Sequence, residues 1–139
     1  MFFPLLVAAF VNAQSYALTT AVSCSSTTAL AKNFVVMISN DTPLKGQNVT
    51  TTFDFDLDVP VTGGIAKYAA SLNGFPYTTQ ANLCDETAKT NDSCPLLPGH
   101  HHEVSTSTNT VSGKLITTIT WLNEAGAEIL CAKITTKTV

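Results

Sequence analysis

Val49-Thr-Thr-Thr-Phe53-Asp-Phe55-Asp-Leu57-Asp-Val59-Pro-Val61 sets an apolar side chain at almost every second position, with Thr51 keeping the phase. The opposite phase carries Thr50, Thr52, Asp54, Asp56, Asp58 and Pro60. Side chains of a β-strand point alternately to the two faces of its sheet, whereas a helix would scatter these residues around its circumference. The segment is therefore read as one long strand from 49 to 61 with a greasy face and a wet face. A sheet with one such face lays it against a second sheet, which makes an all-β sandwich. What fills the gap between the sheets then decides the function. The three aspartates are assigned to a solvated face. A calcium loop would need a glycine at its sixth position and polar residues between the ligands, and here those places hold Val59, Phe55 and Leu57.

Working outward, 139 residues suffice for one domain with a real core. Only 12 % of them are charged, the net charge is −3, and the seven cations are all lysines with no basic run. Nucleic acid and anionic membrane surfaces are therefore poor electrostatic partners. The start, Met-Phe-Phe-Pro-Leu-Leu-Val-Ala-Ala-Phe-Val-Asn-Ala-Gln, reads as a secretory signal peptide over residues 1–13, cut after Ala13 at a small-residue site. Its apolar run is too short to span a bilayer. The remainder, 14–139, is one domain, expected to be soluble and secreted or lodged in an endosomal or lysosomal lumen.

Further strands follow from short apolar or alternating runs between turn signals. They are 15–24 at an edge, 34–38, 65–72, an edge strand from Phe75 to Leu83 carrying Pro76, 103–111, 114–123 and 128–138. Asn73-Gly74 is a two-residue hairpin signal, and Thr62-Gly63-Gly64 breaks the long strand. Seven to eight strands and almost no helix are the sandwich pattern. The segment enclosed by Cys84 and Cys94 is expected to be an unburied polar loop.

Four cysteines allow three pairings. No C-x-x-C and no histidine at ligand spacing from a cysteine argues for zinc, so disulfides are expected. A local bridge from Cys84 to Cys94 across the polar loop is the natural one, and it leaves Cys24 with Cys131. Sequons at Asn40, Asn48 and Asn91 lie at turns or strand ends and fit a glycosylated, exported chain.

Chemistry is sparse. No nucleophile–base–acid set, paired-carboxylate site or phosphate-binding glycine loop is legible, so no enzyme, cofactor or metal is expected. His100, His101 and His102 follow a Pro-Gly turn and read as an exposed loop; neighbours in an extended chain point different ways and do not converge on one ion. Their titration range suits a pH-modulated release of ligand.

At Leu83-Cys84 … Cys94-Pro95-Leu96-x-x-Gly99 the chain resembles the ML domain. This lipid-recognition family includes the Niemann–Pick type C soluble sterol carrier, the fungal phosphatidylglycerol/phosphatidylinositol transfer proteins, the group 2 mite allergens and the toll-receptor lipid co-receptor. Lys45-Gly46-Gln47-Asn48-Val49 resembles the K-G-Q lead-in to the family's long strand, and Asn73-Gly74-Phe75-Pro76 its G-x-P bend. Trp121-Leu122-Asn123-Glu124-Ala125-Gly126 with Leu130-Cys131 resembles its penultimate hairpin and last cysteine. The spacing of Cys84, Cys94 and Cys131 is most similar to the transfer-protein and sterol-carrier branches.

The resemblance implies an immunoglobulin-like sandwich with a lipid cavity between its sheets, and the same two disulfides. It implies a carrier of a sterol or phospholipid that delivers its lipid to a membrane or a partner, and the chain is expected to be a monomer. The alternatives are a solid interaction module and a lipid-sensing co-receptor. The inward candidates are Val49, Phe53, Phe55, Leu57, Tyr68, Leu72, Val111, Leu115, Ile119 and Trp121. The family places Val49, Val111, Ser112, Gly113 and Leu115 near the cavity mouth, with Phe75 to Thr79, including Tyr77, flanking it. The sterol carrier has a further short disulfide before the K-G-Q turn; its absence here implies a looser turn near Pro43.

Overall fold

Residues 16–108 and 112–138 are described by the computed structural model. The expected signal segment, 1–13, and Val111 lie outside the described residues. In chain order the elements are β1 (Ala17–Ser23), β2 (Lys32–Ile38), β3 (Asn48–Leu57), β4 (Gly64–Leu72), β5 (Phe75–Asn82), α1 (Leu83–Ala88), β6 (Gly99–Thr108), β7 (Lys114–Asn123) and β8 (Glu128–Thr138). Among the described residues, eight strands form two antiparallel sheets, ordered β1-β8-β7-β4-β5 and β2-β3-β6. The strand with the longest alternation, β3, is the middle strand of the small sheet and pairs with β6 from Asn48↔Thr108 to Leu57↔Gly99. The expected edge strands, β1 and β5, are the edges of the large sheet.

Alternation placed the inner face of β3 correctly: Val49, Phe53, Phe55 and Leu57 are all buried. The strand is shorter than expected. It stops at Leu57, the chain bends at Asp58 and Val59, and Val59 is left exposed. Pro60 has no N–H to give a ladder, so regular pairing is not resumed through it. Val61 is buried nonetheless, exchanging backbone hydrogen bonds with Leu96 at 2.9 and 2.8 Å.

Both disulfides are as expected: Cys24–Cys131 ties β1 to β8, and Cys84–Cys94 closes the short loop. That loop is a correction. Its first turn is helix α1, capped by the Asn82 side chain accepting from the Asp85 N–H at 3.3 Å. Leu83 and Thr87 on it are buried. The turn near Pro43 packs against β1. Its backbone carbonyls at Pro43 and Asp41 accept from Ala17 and Thr19 of β1, at 3.0 and 2.8 Å, and Pro43 is among the fully buried side chains.

The histidines are a second correction. They lie on β6, not in a loop, in register with the aspartates of β3: Asp54↔His102, Phe55↔His101, Asp56↔His100. Alternation sends His101 inward, where it is buried and stacks on Phe55 with centroids 5.2 Å apart. His100 and His102 face out and take the aspartates as partners. His102 Nδ1 is 2.7 Å from Asp54 Oδ1, and His100 bridges Asp56 at 2.8 Å and Asp54 at 3.1 Å. Hydrogen bonds from His102 to Asp54, and from Asn33 to Asp56, hold both carboxyls below their ordinary value, and Asp56 in turn raises His100.

The core is lopsided. Phe53, Phe55, Leu57, Val61, Ala66, Leu83, Leu96, Trp121, Ile129 and Leu130 form one buried cluster at the end where β3 finishes. Trp121 packs on Phe53 and Phe55 at 5.6 and 6.0 Å, and Phe34 meets the same two rings edge-on at 5.3 and 6.4 Å. Toward the other end of the same strands, the inner face changes to threonine, serine and isolated aliphatic residues.

Candidate ligand cavity

That change of side chains opens the sandwich. On β3 the inner positions beyond Phe53 are Thr51 and Val49; on β6, beyond His101 and Glu103, they are Ser105 and Ser107; on β7, beyond Trp121, they include Thr117 and Leu115; on β8, Ile134 and Thr136. Small side chains on both inner faces cannot meet across the roughly 10 Å that separates packed sheets. Leu115, Thr117, Ile119, Ile134 and Thr136 are consequently only half-buried although they face inward.

The space has two lobes of about 270 Å³ each, neither sealed from solvent. The outer lobe is lined by Thr19, Ile38, Pro43, Val49, Thr51, Ser107, Thr108, Leu115, Thr117, Ile134 and Thr136. The inner lobe reaches the edge of the packed core and is lined by Phe53, Tyr68, Glu86, Thr90, Glu103, Ser105, Ile119 and Trp121. Thr51, Ser107 and Ile134 line both lobes, so the two adjoin. Each lobe falls just below the usual range of small-molecule sites, about 300–1,000 Å³, and the pair falls within it.

The expected lining residues divide into three groups. Val49, Phe53, Tyr68, Leu115, Ile119 and Trp121 line the lobes. Phe55 and Leu57 are buried in the packed half, outside both lobes. Leu72, Phe75 and Tyr77 line neither lobe and are exposed at the hairpin of β4 and β5, Phe75 by 79 %. Asn73 and Gly74 turn that hairpin with φ of 50° and 85°. Asn73 Oδ1 accepts from the Lys114 N–H at 2.8 Å and fixes the hairpin to the start of β7. Ser112 and Gly113 immediately precede β7, and the Gly113 N–H donates to Thr138 Oγ1 at 3.2 Å. Among the sequons, Asn91 lies exposed in the turn after α1, and Asn48 lies exposed at the start of β3. Asn40 is half-buried and accepts from the Thr42 N–H at 3.0 Å.

Sequence reasoning missed the hydroxyl lining and the acidic wall. Glu86, on α1, and Glu103, on β6, are the charged residues of the lobes, and no lysine lines either one. Burial pushes Glu103 up to about 8, and the hydrogen bond with Asp92 adds to this. Tyr68 is pushed up to about 12 by burial and by Glu86, to which it is hydrogen-bonded. Two buried polar atoms have no hydrogen-bond partner among the described residues, Thr19 Oγ1 and Glu103 Oε1, and their residues line one lobe each.

The sequence model of the ML domain matches residues 19–138. The chain belongs to the ML domain family. Among solved structures, this ML domain is similar to a Niemann–Pick type C2 protein from the Japanese carpenter ant. The TM-score is 0.62 and the identity 20 %, over 84 % of this chain and 96 % of the other. It is also similar to chicken MD-1 complexed with lipid IVa, with a TM-score of 0.61 and 18 % identity over 87 % and 89 % of the two chains. No curated protein sequence matches it. At these identities the likeness is one of fold. The immunoglobulin-like sandwich expected for an ML domain is the architecture observed.

Proposed function

We propose that this ML domain is a lipid carrier of the secretory or endosomal lumen, which holds a sterol or the acyl part of a phospholipid between its sheets and yields it to a membrane or a partner protein. The observation that carries the reading is the half-hollow interior, two adjoining lobes lined from both sheets. A solid sandwich would fill these positions with side chains. A bound lipid supplies the missing contacts, recovering about 0.8 kcal/mol per buried CH₂ without any charged anchor. The lining also suggests an orientation. With Glu86 as a carboxylate, Glu103 holding its proton and no lysine in the lobes, nothing there pairs with a phosphate, which stays at the opening. Two disulfides fit an oxidising compartment. The lipid complex named for chicken MD-1 supports lipid binding in this fold.

The test is to produce the chain through a secretory route, extract it with organic solvent and identify what leaves by mass spectrometry. About one lipid per chain is expected. Protein that leaves the cell lipid-free and takes up no fluorescent sterol would sink the carrier reading. A second reading, a module that docks partners on its surface, is favoured by Phe75 and Tyr77, exposed on edge strand β5. Lipid-free protein that loses a partner on Phe75→Ser would support it instead.

A further inference from the structure

The inner wall of the sandwich holds a side-chain set that a lipid does not explain. Asp92 follows α1 in the disulfide-closed loop, while His101 and Glu103 are alternate inward residues of β6. One donor atom from each lies within 4.8 Å of the others. His101 and Glu103 are 9 % and 4 % exposed.

Three features of this set are those of a metal centre. First, His101 Nε2 lies 2.6 Å from the Leu97 carbonyl, which can only accept, so Nε2 carries the hydrogen. The same backbone contact orients metal-bound histidines and leaves the other nitrogen free to ligate. Here that nitrogen, Nδ1, is hydrogen-bonded to Asp92 Oδ2 at 2.7 Å, and the proton between them is the one a bound ion would displace. Second, Glu103 Oε1 is buried without a hydrogen-bond partner, while Oε2 meets Thr90 Oγ1. Two carboxyls facing each other need a positive charge or a retained proton between them. Third, the three donor atoms lie within 4.8 Å of one another, so a modest shift of the side chains brings all three around one ion with bonds of about 2.1 Å. Outside the sandwich, Asp54, Asp56, His100 and His102 already satisfy one another on the exposed face.

We propose that Asp92, His101 and Glu103 form a binding site for a transition-metal dication such as Zn²⁺, with Thr90 Oγ1 or a water completing the coordination. One imidazole and two carboxylates suit zinc rather than Mg²⁺ or Ca²⁺, which prefer more oxygen ligands. The ion would tie the α1 loop to β6 across the acidic wall of the inner lobe. It draws a single histidine from the triplet and its carboxylates from two segments, so the spacing of no motif announces it.

The experiment titrates the chelator-treated full chain with ZnCl₂, and separately with MgCl₂, by calorimetry at neutral pH. CoCl₂ absorption serves as a spectroscopic signature of nitrogen–oxygen ligation. One zinc per chain is expected, with magnesium silent. Glu103→Gln and Asp92→Asn should each weaken zinc by more than about tenfold, while the double change His100→Gln, His102→Gln leaves it unaltered. Absence of zinc binding by the unchanged chain overturns the site. So does zinc binding that disappears with His100 and His102 but survives Asp92→Asn, because the ion then sits on the outer face. Should Glu103→Gln fold poorly, Asp92→Asn on the loop and the cobalt spectrum of the unchanged chain still decide the matter.

Discussion

Glu103 occupies an inward position of β6 at 4 % exposure, where a carboxylate gives up most of its hydration. Burial therefore raises it from an ordinary value of 4.5 to about 8. Between those two values the folded chain keeps a proton that the unfolded chain has released. Stability contributed by this group is thus full below about 4.5 and declines as pH rises to about 8. Asp92 has the opposite sign. Burial would push it up, but hydrogen bonds with Glu103 and His101 prevail and hold it low, so its contribution is lost only in more acid solution, below the ordinary value of 3.8. His100, raised by Asp56 and Asp54, also favours the lower pH, but it does so from an exposed site. Glu103→Gln keeps the shape and removes the titration. In the presence of chelator, the urea midpoint of the unchanged chain is expected to fall between about pH 5 and pH 8, and that of the variant to fall less. An identical slope in both would place the titrating proton on another group.

At the scale of elements, the junction from Val61 into β4 turns on Gly64. Its φ is +149°, and a Cβ there would lie 1.9 Å from the Leu122 carbonyl oxygen, a backbone atom of the paired strand. Gly64→Ala is expected to cost more than about 2 kcal/mol in urea unfolding, because β4 must leave β7 to make room. Gly74→Ala, also at positive φ but with nothing within 4 Å, should cost only the backbone term of about 1 kcal/mol. Equal losses at the two positions would contradict the close approach. The Gly-Gly break, the Asn-Gly hairpin and the positions of the strands were readable because each leaves a local mark in turn chemistry or alternation. Helix α1 was not, since six residues are too few to show a helical period. The start of β6 was hidden for another reason. Its inner face carries His101, Glu103, Ser105 and Ser107, so no apolar alternation reports which way the strand faces. The cavity was half legible on the same grounds: Val49, Tyr68 and Trp121 announce an inner face, whereas an inward Thr51 or Thr117 looks in sequence like an outward one.

For the molecule as a whole, the division into a packed half and a hollow half predicts opposite responses to changes of volume. Leu57 is 3 % exposed among the packed residues, and truncating it to alanine leaves a void the cluster cannot close. A loss of about 2–5 kcal/mol is expected. Lipid uptake by the folded fraction should be unaltered, since Leu57 lines neither lobe. Thr51 is the converse case: half-buried, on the inner face of the central strand, and shared by both lobes. Overpacking normally destabilises a core by about 1–3 kcal/mol, but a phenyl ring here enters space that side chains do not fill. Thr51→Phe is therefore expected to change stability by less than about 1 kcal/mol, while weakening a fluorescent sterol by more than tenfold, because the ring fills space where the lobes adjoin, beside Ser107 and Ile134. Urea midpoints and probe displacement on the same two preparations check both halves of the argument. A Thr51→Phe protein that unfolds readily would mean the sheets close on each other in solution, and one that binds sterol undiminished would move the ligand out of the sandwich.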